Sequence, residues 1–74
     1  MDIRAVVGLN VVRIRRERSL SQEELSFRVG VTRAYLSGLE AGRRNPTVVT
    51  LSKLADGLGV DVDQLIRAPK RSAF

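Results

Sequence analysis

The sequence predicts an all-α fold of five short helices, and three observations carry that prediction. Side chains that cap helix starts recur along the chain, most of them beside a pair of aliphatic residues. Glycines stand where the helices should stop, since glycine takes the left-handed end conformation without steric cost. No stretch alternates apolar and polar residues for long enough to be a strand.

The elements follow in order. Helix one is expected from about Ile3 to Arg18, with Val7, Val11 and Ile14 as its core stripe. Ser21 and Glu24 form a capping box, stapled by Leu20 and Leu25, that opens helix two over Gln22 to Val29. Thr32, between Val31 and Leu36, opens helix three over Arg33 to Ala41, with Leu36 and Leu39 turned inward. Thr47, with Pro46 ahead of it and Leu51 within, opens helix four over Val48 to Leu58. Asp61 with Gln64, flanked by Val60 and Leu65, is expected to cap helix five, Val62 to about Arg67. Gly30, Gly42 and Gly59 close helices two, three and four. The inward residues continue through Leu25, Val29, Val31, Leu51, Leu54, Leu58, Leu65 and Ile66. Residues 1–68 read as one domain and 69–74 as a loose tail.

Composition excludes most chemistry. A chain of 74 residues without cysteine buries only about 60–65% of its unfolded surface and has no disulfide to compensate. It also lacks histidine, the usual metal ligand and general base. Glu23 and Glu24 are adjacent in a capping turn and point apart, so they are no acid–base pair. Neither catalysis, nor a metal, nor a cofactor is expected. The start of the chain carries an acid and no cleavage site, and nothing approaches a membrane span, so a cytoplasmic protein is expected.

The net charge is +5, with arginine far outnumbering lysine. That sign favours a polyanionic partner, and the planar guanidinium suits phosphates and guanine edges. Helix three turns Ala34, Ser37, Gly38 and Ala41 away from its leucines, flanked by Arg33 and Tyr35. A face so small suits close packing against another helix and entry into a duplex major groove equally well. Its surroundings favour the groove. Arg43, Arg44 and Asn45 follow at once, and "RIRRER" adds Arg13, Arg15, Arg16 and Arg18, a group of arginines expected around helix three.

The segment "LSQEELSFRVGVTRAYLSGLEAGRRNPTVVTLSKLADGLGV" resembles the helix-turn-helix domain of phage-repressor, Cro and XRE-type regulators. The likeness runs from about Gly8 to Ile66, and within the family "TRAYLSGLEAGRRN" is most similar to restriction–modification controller proteins. The resemblance implies a lambda-repressor-like fold in which helix three enters the major groove. It implies base contacts from Arg33, Ala34, Ser37 and, as in controller-like members, Tyr35 and Arg44. It implies phosphate contacts from Gln22, Arg43 and Asn45, and helix starts at Gln22 and Thr32 also favour phosphate. For Tyr35 a phosphate bond, a base stack and a half-buried position all remain open. Arg15 and Glu40 match a pair that serves as a structural ion link. Where several phage repressors carry glutamine for adenine, this chain has Arg33 and Ala34, so their half-sites do not transfer.

One recognition helix reads few base pairs, so a homodimer on a (pseudo)palindromic operator is expected. Leu58, Val60, Val62 and Ile66 are the candidate dimer surface. Ala5, Leu9 and Val12 form a second apolar stripe on helix one, expected to be covered by helix five or the tail. The competing reading is a protein-interaction module such as an antitoxin, for which only "APKRSAF" is spare. A membrane-surface role fits less well, because the arginines of helix one cluster at one end. A chain of 74 residues leaves no room for a ligand-sensing domain, so no small-molecule ligand is expected.

Overall fold

Capping chemistry decides where four of the five helices begin. A computed structural model describes residues 2–68, with α1 at Ile3–Glu17, α2 at Gln22–Val29, α3 at Arg33–Glu40, α4 at Val48–Leu58 and α5 at Asp63–Ile66. Among the described residues there is no strand. The Asp2 carboxylate accepts from the Arg4 N–H at 2.8 Å to open α1. At α2 the Ser21 hydroxyl accepts from the Glu24 N–H at 3.0 Å, and the Glu24 carboxylate accepts from the Ser21 N–H at 2.8 Å. Thr32 and Thr47 accept from the Tyr35 and Thr50 N–H groups at 3.0 and 3.1 Å.

The ends differ more from expectation. Gly30 and Gly59 close α2 and α4 at φ of 84° and 73°. Helices α1 and α3 stop one residue early, with Arg18 and Ala41 as their end caps. Ser19 follows α1 in the left-handed region, at φ of 55°. There the Leu20 and Ser19 N–H groups donate back to the Arg15 and Arg16 carbonyls at 3.0 Å.

Asp61 does not cap α5, contrary to expectation. Val62 is helical, as expected of a first helical residue, at φ −56°, ψ −37°, but no side chain caps the start of α5. The N–H that an Asp61 carboxylate would accept is already taken. Asp61 offers its backbone carbonyl to the Gln64 N–H instead. Helix α5 is therefore a single turn, and Ile66, expected in the core, is 41% exposed.

The core gathers Val7, Val11, Ile14, Leu20, Leu25, Val29, Leu36, Leu39, Leu54, Ala55, Leu58 and Leu65. Val6 is buried as well, which the expected stripe on α1 did not include. Helix α1 meets α3 on one side and α5 on the other, while α2 packs on α3 and α4. Towards α3, Gly8 permits close approach: a Cβ there would lie 2.6 Å from the Glu40 carbonyl oxygen. Towards α5, the buried Asn10 donates from Nδ2 to the Leu65 and Arg67 carbonyls, both at 2.9 Å. A four-residue helix cannot hold itself, so this side chain fixes α5 in place.

The second stripe on α1 is divided, not covered as a unit. Ala5 lies against the turn at Gly42, whose added Cβ would meet the Ala5 Cα at 3.3 Å. Leu9 stays 48% exposed. The expected tail, 69–74, lies outside the described residues. Among the described residues no helix is long and apolar enough to cross a membrane.

Candidate nucleic-acid interface

The left-handed Gly30 and the Thr32 cap turn the chain sharply between α2 and α3. Leu36 and Leu39 are essentially fully buried and fix the roll of α3. Its opposite face then presents Arg33, Ala34, Ser37 and Ala41 to solvent. Gly38 departs from expectation, because it is buried beneath the Arg44 side chain. A Cβ at Gly38 would lie 3.1 Å from Arg44 Nε and 3.3 Å from its Cγ. The same guanidinium sits over the Tyr35 ring, 5.3 Å from its centroid, a cation–π distance. Tyr35 is half-buried against the core, so its ring is a fixed platform for Arg44.

A buried polar cluster locks the far end of this unit. Arg15 donates from Nε to Glu40 Oε2 at 2.7 Å and from Nη2 to Oε1 at 3.1 Å. Its Nη1 reaches the Leu20 carbonyl at 2.9 Å. The expected structural pair is thus present, and its side chains are 11% and 6% exposed. Gln22, expected on phosphate, donates from Nε2 to Glu40 Oε1 at 2.8 Å. One of its two side-chain N–H groups is therefore committed, which leaves the other and its backbone N–H at the start of α2.

The charge of the face follows from these pairings. The first turn of α3 holds no acid, and its only carboxylate, Glu40, is neutralised by Arg15. Among the described residues no carboxylate pairs with Arg33, Arg43 or Arg44. The Thr32 oxygen accepts the Tyr35 N–H, which leaves the hydroxyl proton for an outside acceptor. Arg43 and Asn45 are exposed in the loop after α3, and Asn45 also borders a small apolar cavity with Ile3, Pro46, Leu51 and Ile66.

Two expected groupings fail. Arg13 and Arg18 do not gather around α3, because they line a groove between α1 and α5 on the other side of α1. Leu58 is 1% exposed and belongs to the core, so it cannot serve as a dimer surface. Val60 and Val62 are half-buried against that core, which leaves Ile66 as the openly apolar member of the four. The role of Asn10 escaped the sequence reading. Its one signal was a polar residue at core spacing between Val6 and Ile14.

A family model described as Helix-turn-helix, HTH_3, matches residues 12–65. The chain belongs to this family of XRE-type transcriptional regulators. It is 50% identical over its whole length, and over 96% of the relative's, to the "uncharacterized HTH-type transcriptional regulator y4dJ" of Sinorhizobium fredii. Among solved structures, the hypothetical transcription factor NHTF from Neisseria matches with a TM-score of 0.88 and 38% identity, covering 92% of this chain and 78% of that one. The restriction–modification controller protein C.AhdI from Aeromonas hydrophila matches with a TM-score of 0.81 and 35% identity, covering 84% and 94%. The HTH_3 family is one of regulators and not of enzymes. In HTH_3 terms, α2, the Gly30 turn and α3 are the motif, and the Arg15–Glu40 pair ties it to α1.

Proposed function

We propose that this chain is a sequence-specific regulator that binds double-stranded DNA as a homodimer on a (pseudo)palindromic operator. One observation carries the reading: α3 offers a small, acid-free outward face with Arg33 at its start and Arg44 laid along it. Such a face fits a major groove about 12 Å wide without side-chain obstruction.

In this reading Arg33 donates a bidentate pair to guanine, Ala34 meets a thymine methyl, and Ser37 reaches a base edge. Arg44 swings from its Tyr35 platform toward a base, and Tyr35 lines the same edge. Gln22, Thr32, Arg43 and Asn45 hold phosphates and set the register. Two copies place their recognition helices about 34 Å apart, one turn of DNA. Ile66 and neighbouring exposed apolar residues supply the dimer contact in this reading. A cytoplasmic location goes with it.

Selection from a pool of randomised duplexes tests the proposal. Enrichment of a twofold-symmetric site supports both base reading and dimeric binding. Salt-sensitive binding with no enriched sequence would mean that the arginines hold only phosphates, and the proposal would fall.

A further inference from the structure

Three arginines that the DNA reading leaves unused, Arg13, Arg18 and Arg67, sit together. Between α1 and α5 lies a cavity of about 370 Å³ bordered by Asn10, Arg13, Glu17, Arg18, Gln64 and Arg67. Its size falls within the range of small-molecule sites. Three guanidiniums and one carboxamide donor face a single lining carboxylate, Glu17. A site so rich in donors calls for a ligand rich in acceptors.

The local pairings leave these donors available. Arg13 reaches Glu17 at 3.4 Å and Arg67 pairs with Asp63, both exposed contacts between residues one turn apart. Exposed pairs of this kind contribute little and exchange partners readily. Among the described residues Arg18 makes no ion pair and no side-chain hydrogen bond. Asn10, 1% exposed, spends its amide on α5 and so fixes the floor without serving the ligand, whose donors are the guanidiniums and Gln64. Asp56 and Asp61 lie in the adjoining cavity beyond Arg18, so the cationic half of the groove is bounded on one side by acids.

We infer that this groove binds a small polyanion bearing two or more phosphate or carboxylate groups. One anionic group sits between Arg13 and Arg18 on α1, and a second reaches Arg67 beyond α5. The ligand thereby bridges the two elements that Asn10 already joins and tightens α5 against α1. Phosphate could come from a free metabolite or from a DNA backbone, and the position favours the free anion. Gly8 and Arg15 turn to α3 on one side of α1, whereas Asn10 and Arg13 turn to α5 on the other. Helix α1 thus stands between α3 and the groove.

The test uses the whole chain, with sodium pyrophosphate and sodium citrate as probes and sodium chloride at matched ionic strength as reference. Binding is read by calorimetry and by amide NMR shifts. Saturable binding is expected, with shifts at Asn10, Gln64 and Arg67. Arg18→Gln and Arg67→Gln should each weaken it about ten-fold, and Arg43→Gln, an equal change of charge on the far face, should not. Equal loss with Arg43→Gln, shifts confined to α3, or binding that never saturates would overturn the inference in favour of a diffuse counterion effect. A flatter salt dependence of DNA binding in Arg18→Gln would assign the groove to DNA phosphate and also overturn it. The probe titrations contain no DNA, so their failure leaves the proposed function untouched.

Discussion

Arg15 grips both carboxylate oxygens of Glu40, at 2.7 and 3.1 Å, although the two residues stand twenty-five apart in the chain. The pair joins the last turn of α1 to the last turn of α3. Both side chains are mostly withdrawn from water, so each depends on the other. Replacing Glu40 by Ala leaves a buried guanidinium and an unpaired Gln22 amide, and should cost about 3–5 kcal/mol of unfolding free energy. Replacing both by methionine and leucine should cost less than either single change. Urea denaturation of Glu40→Ala, Arg15→Met and the double variant checks this.

Gly8, packed against α3, and Gly38, within it, should respond differently to alanine. Gly8→Ala drives a Cβ to 2.6 and 2.7 Å from two backbone carbonyl oxygens, which cannot yield without separating α1 from α3. A loss of about 1–3 kcal/mol or more is expected, as for an overpacked core. Gly38→Ala meets only the flexible Arg44 side chain. Its stability should stay within about 1 kcal/mol of the parent, because alanine also favours the helix. Binding to the selected duplex should change, since Arg44 is displaced from its bed.

Base reading and phosphate holding are separable by their salt and sequence signatures. Arg33→Ala should relax preference at one base position of each half-site, by about 1–3 kcal/mol. Arg43→Ala should weaken all sequences alike and reduce the salt slope by about one unit. Repeating the duplex selection with each variant, together with titrations at several salt concentrations, distinguishes them. An unchanged preferred sequence in Arg33→Ala would remove Arg33 from the base-reading set.

Ser19 holds a left-handed conformation that glycine adopts freely. Ser19→Gly should therefore raise stability by about 0.5–1 kcal/mol, measurable as a higher melting temperature.

Stability should fall in acid over a defined window. The backbone N–H and side chain of Ser21 hold the Glu24 carboxyl below its ordinary value of 4.5. The Arg4 side chain and N–H hold Asp2 at about 2 instead of 3.8. Both groups have lowered folded values, so their stabilisation is complete above the ordinary values and is lost as the pH falls through the folded ones. Melting temperatures should decline below pH 4.5, and down towards about 2 as Asp2 takes its proton. Glu24→Gln should flatten the upper part of that decline.

Short-range chemistry determined much of this protein from the sequence alone. Ser21 with Glu24, Thr32, Thr47 and the left-handed Gly30 and Gly59 depend on neighbours within a few residues, and each acts as read. The aliphatic spacing on α2, α3 and α4 likewise identified Leu25, Leu36, Leu39 and Leu54 as core. The basic, small-faced α3 was legible for the same reason: a helix sorts its residues onto faces by periodicity.

Tertiary structure decided what lies across from each face. Nothing near Asp61 in the chain reveals that its own carbonyl takes the Gln64 N–H, or that Val60 and Val62 lie half-buried against the core. Gly38 lies under Arg44 because a loop six residues later folds back over α3. The run "RIRRER" was divided by the two neighbours of α1, which draw Arg15 to Glu40 and leave Arg13 and Arg18 beside α5. Periodicity tells which residues share a side of a helix, but only packing decides what that side meets.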